Sequence, residues 1–193
     1  MMEGLVMQKL FCGVYKERRV LITGHTGFKG SWFVTWLSQM GAKVLGYALD
    51  PNTTPNHFSM LDMSIKSVIG DIRDGKNLSD VFKKFQPEIV FHFAAQPLVL
   101  MSYYDPVETF QINVMGTVNL FEACRQTSSV KAVINITSDK CYENKEWVWG
   151  YREKDVIGGY DPYSASKGCS ELVTSAYRKS FFDSKYIASA RAG

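Results

Sequence analysis

The chain is short of several things, and each shortage narrows its class. Its 193 residues contain four cysteines, Cys12, Cys124, Cys141 and Cys169, and no C-x-x-C pair. A disulfide scaffold or a zinc ribbon needs closer or more numerous cysteines, so these read as reduced thiols of a cytoplasmic protein. The three histidines, His25, His57 and His92, share no spacing, and no metal site is expected. No apolar run approaches the roughly 18 residues of a membrane span. The first residues lack a cationic n-region and an A-x-A cleavage site, so no signal peptide is expected. A surplus of one charge is also lacking. The 22 Lys and Arg against 19 Asp and Glu leave a net charge of +3, too mild to call for nucleic acid or an anionic membrane as partner. What remains is ordinary globular composition, 46% hydrophobic and 21% charged.

Short apolar runs alternate with longer amphipathic ones. The runs at 19–23, 43–49, 67–70, 88–93, 131–137 and 185–191 are rich in β-branched and aromatic residues, as strands buried on both faces are. Helices are predicted over 28–40, 78–85, 105–126 and 163–182. In the first, Phe28, Trp32, Trp36, Leu37 and Met40 form the apolar stripe. In the third, Val107, Phe110, Val114, Val118 and Phe121 do. Strand–helix alternation predicts an α/β fold, a doubly wound Rossmann-type parallel sheet with helices on both faces. Residues 1–18 read as an N-terminal extension and 19–193 as the dinucleotide-binding domain. The sequence stops directly after the sixth strand, so a second lobe for substrate is expected to be missing.

The first strand runs into Thr23-Gly24-His25-Thr26-Gly27-Phe28-Lys29-Gly30. Gly24 permits a tight turn, Gly27 a close approach of backbone to a pyrophosphate, and Gly30 close helix–sheet packing. The helix N-terminus that follows offers free N–H groups to phosphate. Thr26 and Phe28 belong to the same turn, and His25 reads as a turn residue rather than a catalyst. Asp50 lies 20 residues past Gly30, where an acid would bind the ribose 2′-hydroxyl. No basic residue adjoins it, which favours NAD over NADP. Asp71-Ile72 ends the third strand where adenine would lie, and Ala94-Ala95 ends the fourth with side chains small enough to leave room for the cofactor.

Tyr163 and Lys167 stand four apart at a helix start and share one face. A neighbouring ammonium is expected to lower the tyrosine pKa towards that of a useful base, and Lys167 could also bind the nicotinamide ribose. The fifth strand ends in Ser138-Asp139-Lys140 at the edge where such sheets meet their ligands. Ser138 could hydrogen-bond a substrate hydroxyl beside Tyr163. Asp139 and Lys140 add an acid and a base that simple hydride transfer does not need.

The stretches TGHTGFKGSW (23–32), GDIRD (70–74), FHFAAQPLV (91–99), NVMGT (113–117), TSDKCYENKEWVWGYRE (137–153) and GGYDPYSASKGCSELV (158–173) resemble the extended short-chain dehydrogenase/reductase family, in its sugar-nucleotide 4,6-dehydratase branch. The resemblance implies bound NAD and a nucleotide-sugar substrate, CDP-glucose. Tyr163 takes the sugar 4-hydroxyl proton as hydride leaves C4. A base then removes the C5 proton, an acid protonates the departing 6-hydroxyl, and hydride returns to C6. It implies Asp139 as the acid, Lys140 in place of a glutamate base, Gln96 and Ser138 on the substrate, and a homodimer through the two long helices. A sugar-nucleotide 4-epimerase needs the Ser and Tyr–Lys set but not Asp139 and Lys140, and remains a rival. A non-catalytic NAD-binding module is the other.

Overall fold

The computed structural model describes residues 10–61, 65–183 and 185–193. Residues 1–9 of the expected extension lie outside them. Residues 10–18 pack on the domain, with the Tyr15 ring 6.4 Å from that of Phe91.

Six strands form one sheet: β1 Arg19–Thr23, β2 Lys43–Ala48, β3 Lys66–Ile69, β4 Ile89–His92, β5 Ala132–Ser138 and β6 Tyr186–Ala192. Their spatial order is β3-β2-β1-β4-β5-β6, and every pairing is parallel. This is the doubly wound order expected from the strand–helix alternation, with its crevice where the order reverses between β1 and β4. Thr23 pairs in register with Tyr47 on one side and His92 on the other, so the strand ends that line the crevice are level.

The helices are α1 Phe28–Gln39, α2 His57–Met60, α3 Gly75–Phe85, α4 Val99–Tyr104, α5 Pro106–Phe110, α6 Gly116–Gln126 and α7 Pro162–Phe181. Alternate residues of β1 serve two cores. Val20 and Ile22 pack with Val34 and Leu37 of α1. Leu21 packs with Leu78, Phe82, Leu120 and Phe121 from α3 and α6. On the α1 side of β5 and β6, Ile134 and Ile136 are only partly buried, and Ala188 and Ala190 are exposed.

Three sequence expectations need correction. The buried face of α1 is Gly30, Ser31, Val34 and Leu37, while Phe28 and Trp32 are 68% and 54% exposed. Gly30 fixes this rotation, since a Cβ there would lie 2.2 Å from the Gly24 carbonyl oxygen. At 100° per residue, positions 28 and 32 point away from the face that carries Gly30. The expected helix 105–126 is helical without a break from Pro106 to Gln126, α5 and α6 being continuous through a wider π-type turn at Gln111–Met115, but its face differs from the expected one. Over its first half the inward face is polar, with Thr109, Asn113 and Thr117 buried and Val107 and Phe110 exposed, while further along Leu120 and Phe121 fill the core. Finally, α3 begins at Gly75, three residues before its predicted start, because Asp74 caps it by accepting from the Asn77 N–H at 2.9 Å. Helices α2 and α4 are short and lie between the elements expected from the sequence.

Candidate active site

The glycine turn joins β1 to α1. Gly24 has φ +73°, and a Cβ there would lie 2.6 Å from the Ala94 nitrogen at the end of β4, so only glycine lets turn and strand meet. Gly27 differs. A Cβ there would meet nothing closer than the Gly24 oxygen at 3.4 Å, an ordinary contact. Its smallness therefore serves the space in front of the turn rather than the packing behind it. Among the described residues no side chain caps α1, so the first amides of the helix face that space.

The space is a cleft of about 460 Å³ at the carboxyl ends of the strands. Gly24, Thr26, Gly27, Phe28 and Gly30 line it from the turn; Asp71, Ile72, Ala94 and Ala95 from β3 and β4; Tyr163 and Lys167 from α7. Thr26 anchors the turn to the end of β2 by donating to the Leu49 carbonyl at 2.9 Å. Asp50 follows on the exposed rim and is not among the lining residues. His25 points away into the core. Its Nε2 bonds Ser67 Oγ at 2.8 Å, and a Cβ at Gly46 would strike its ring. Burial pulls its pKa down to about 4.

The acid at the far end of the cleft is already paired. Asp71 accepts from Arg73 Nη2 at 2.6 Å and from the Arg73 backbone N–H at 2.8 Å, and Arg73 holds it below the usual carboxylate range. The Asp71 carbonyl takes the Tyr47 hydroxyl at 2.8 Å.

Tyr163 and Lys167 are buried, 9% and 7% exposed, with the ammonium 6.0 Å from the phenol ring centre. Burial lowers the Lys167 pKa to about 8, and the charge of Lys29 across the cleft pushes the same way. The expected lowering of the Tyr163 pKa by Lys167 is not found in the chain alone. Burial raises it, hydrogen bonding from Ser138 works against this, and the carboxylates of Asp139 and Asp161 add to the rise. A phenolate here needs positive charge beyond what Lys167 supplies.

Ser138 caps a short turn, Asp139–Cys141, and its hydroxyl donates to Asp139 Oδ1 at 2.9 Å. Asp139 and Lys140 stand outside the cleft at the surface, their side chains 52% and 58% exposed and 3.9 Å apart. Gln96 is committed to the loop that carries it. Its amide donates to Thr109 Oγ1 at 2.9 Å, its side-chain oxygen takes the Leu98 N–H, and its backbone is held by Asn113. The structure thus brings together the turn, the strand ends, Tyr163 and Lys167, with Ser138 at their edge, and leaves Asp50, Gln96, Asp139 and Lys140 out.

A buried polar chain fixes α7 against the turn. The Thr117 hydroxyl donates to the Asn113 carbonyl at 2.7 Å, so its contact with His92 Nε2 at 3.3 Å requires an N–H on that nitrogen. His92 Nδ1 is then an acceptor and takes the Thr23 hydroxyl at 2.6 Å. Ser170 of α7 lies 3.1 Å from Thr117 and accepts from Asn135 at 2.8 Å. The chain thus runs from Thr23 beside the glycine turn to the helix that bears Lys167. Burial drives the His92 pKa down to about 3, with the nearby Lys167 charge adding to the drop, so it stays neutral.

Sequence reading missed Lys29, Tyr47 and Thr137, which also line the cleft. A lysine inside the glycine turn was a visible signal for the first. Tyr47 and Thr137 sit in strand runs whose pattern reports burial, not which side chain meets a ligand.

Turn, switch-point cleft and Tyr–Lys helix define a dinucleotide-binding α/β protein of the short-chain dehydrogenase type. The family model for GDP-mannose 4,6 dehydratase matches residues 21–187, and the chain belongs to that family. It is 59% identical over 171 residues to the CDP-glucose 4,6-dehydratase of Salmonella typhimurium, a match covering 88% of this chain and 48% of that protein. The structure of Thermus thermophilus UDP-glucose 4-epimerase with NAD superposes with a TM-score of 0.76 at 30% identity, over 90% of this chain and 54% of that one. The epimerase Mth375 of Methanothermobacter thermautotrophicus shares the fold, with a TM-score of 0.82 at 24% identity over 97% of this chain and 54% of that one. The chain spans about half the length of the curated relatives it matches.

Proposed function

We propose that this chain carries the NAD site and the reacting groups for dehydration of a nucleotide-activated hexose, CDP-glucose, to the 4-keto-6-deoxy sugar. The observation that carries this is the Tyr163–Lys167 pair buried in the same cleft as the glycine turn. The turn amides would hold the pyrophosphate, Ile72 and Ala94 would flank the adenine side, and Asp50 at the rim would take the ribose. NAD, when bound, supplies a hydride acceptor for sugar C4 and a donor for C6. The positive charge it brings beside Tyr163 is of the sign needed to offset the burial that raises this phenol.

Tyr163 would take the proton of the sugar 4-hydroxyl, with Ser138 bonded to the same oxygen. Lys167 would keep positive charge beside the phenol. Asp139, in its protonated form, would donate to the leaving 6-hydroxyl, and Lys140, in its neutral form, would take the C5 proton; passing one proton from Lys140 to Asp139 within the pair gives both forms. Asp139 and Lys140 are exposed, so in this reading substrate must cover them before they act.

That exposure also favours a second reading, a sugar-nucleotide 4-epimerase, which needs neither residue. Asp139→Asn separates the two. Dehydration falls by about 10²-fold or more if Asp139 is the acid. An epimerase keeps its rate.

The proposal extends to a homodimer and a cytoplasmic setting. Val107 of α5 and Leu172 of α7 leave apolar side chains exposed on the two long helical segments, at 65% and 60%. All four cysteines are free, and among the described residues no helix is long and apolar enough to cross a membrane.

A further inference from the structure

The chain between the two reacting groups is long and has little regular structure. Ser138 ends β5 and Tyr163 opens α7. Between them lie the turn Asp139–Cys141 and the isolated bridge Tyr142–Ile157. Within the segment the Gly158 N–H donates to the Cys141 carbonyl and the Glu143 N–H to the Val156 carbonyl, each at 2.9 Å, and a residue outside it can hold Ser138 itself against Tyr163.

Glu171 is placed to do so. It is buried on α7, one turn beyond Lys167. Its carboxylate accepts from the Thr137 hydroxyl at 2.5 Å, next to Ser138, and from the Ser189 hydroxyl of β6 at 2.6 Å. It also receives two arms of Arg191, Nε and Nη2, each at 3.1 Å. The third arm of that guanidinium crosses to the loop, donating to the Tyr142 hydroxyl at 2.6 Å and the Glu153 carbonyl at 3.1 Å. One ion pair thus ties the last residue before Ser138, the loop that leaves it, and the helix that carries Tyr163. Burial alone would raise the Glu171 pKa, but hydrogen bonds from Arg191, Ser189 and Thr137 hold it below the usual carboxylate range.

We propose that Glu171 and Arg191 form a positioning pair that sets Ser138 against Tyr163. Neither lines the cleft, so both act through Thr137 and Tyr142. A buried ion pair is weak evidence for stability, and well-packed apolar residues often serve a core as well or better. Here the bonds are spent on residues flanking the reacting turn. The inference rests on the reading that Ser138 and Tyr163 work as a unit.

The test uses the full 193-residue chain and needs no turnover. Tyrosine labelled with ¹³C at Cζ reports hydrogen bonding at the phenol by NMR, and Tyr163→Phe assigns the Tyr163 resonance. Ser138→Ala is measured first, and a shift is expected. Glu171→Gln combined with Arg191→Met removes both charges, so neither is left buried alone. This double variant is expected to move the resonance in the same direction by a comparable amount. Thr137→Ser, which keeps the hydroxyl, is expected to leave it in place. A folded double variant with an unmoved Tyr163 resonance overturns the proposal. If the double variant does not fold, Thr137→Val removes only the hydroxyl contact and decides in the same terms. If Ser138→Ala itself moves nothing, the pairing of Ser138 with Tyr163 fails and the proposal falls with it. A silent double variant beside a responsive Ser138→Ala sinks the positioning pair alone.

Discussion

Lys167 shows how function is set at the level of one residue. Among the described residues no carboxylate is bonded to this buried ammonium, and its pKa falls to about 8. The sign of the stability effect follows. Below pH 8 the native state carries the buried charge and its full cost. Between about 8 and the unfolded value near 10.4 the native state loses the proton while the unfolded chain keeps it, so stability rises with pH. Above that both are neutral and the cost is gone. Lys167→Met should therefore raise the melting temperature by roughly 5 °C at pH 7, and the gain should fade between pH 8 and 10.5. Thermal unfolding across that range checks it. A gain that is independent of pH would mean that packing, not charge, is the cause.

At the scale of elements, the rotation of α1 and the polar inward face of the stretch 106–117 decide what the sequence could tell. The strands were legible because each is a short run with apolar residues set between longer amphipathic stretches, and the glycine turn because its spacing has one mechanical meaning. The helix faces were not. Gly30 turns α1 so that Phe28 and Trp32 look outward, a constraint that no hydrophobic stripe reports. The buried residues Thr109, Asn113 and Thr117 are polar because they hold the bonds that reach His92, Gln96 and Ser166, so the apolar pattern misplaced Val107 and Phe110 while Phe121 does reach the core. Tyr163 and Lys167 were legible as a pair four apart. The engagement of Gln96 with Thr109 was not, since it is a tertiary contact between residues of no special pattern. The turn itself gives a sharp expectation. Gly27→Ala should cost less than about 1 kcal/mol of stability yet weaken NAD at least about tenfold. Gly24→Ala should unfold the domain, because its φ and the Ala94 contact both exclude a side chain. Calorimetric titration with NAD alongside thermal melts separates the two. Equal NAD affinity in Gly27→Ala would remove the turn from the cofactor site.

At the scale of the whole molecule, two features define the chain. Exposed apolar residues on α5 and α7 predict self-association. Val107→Glu with Leu172→Glu should shift sedimentation from dimer to monomer while leaving the far-UV circular dichroism unchanged, and a wild-type chain that sediments as a monomer would contradict the dimer. The second feature is reach. The chain covers 48% of its Salmonella relative, and within that span it holds a glycine turn, a switch-point cleft and a Tyr–Lys helix, with Ser138 at the cleft edge. Hydride leaving C4 and returning to C6 is the sharpest consequence of the proposed function. The most direct measurement exchanges this chain for the matching stretch of the Salmonella CDP-glucose 4,6-dehydratase and supplies CDP-glucose deuterated at C4. The label is expected at C6 of a 4-keto-6-deoxy product. Label returned to C4 of an epimerised hexose, or substrate left unchanged by a folded chimera, would contradict it.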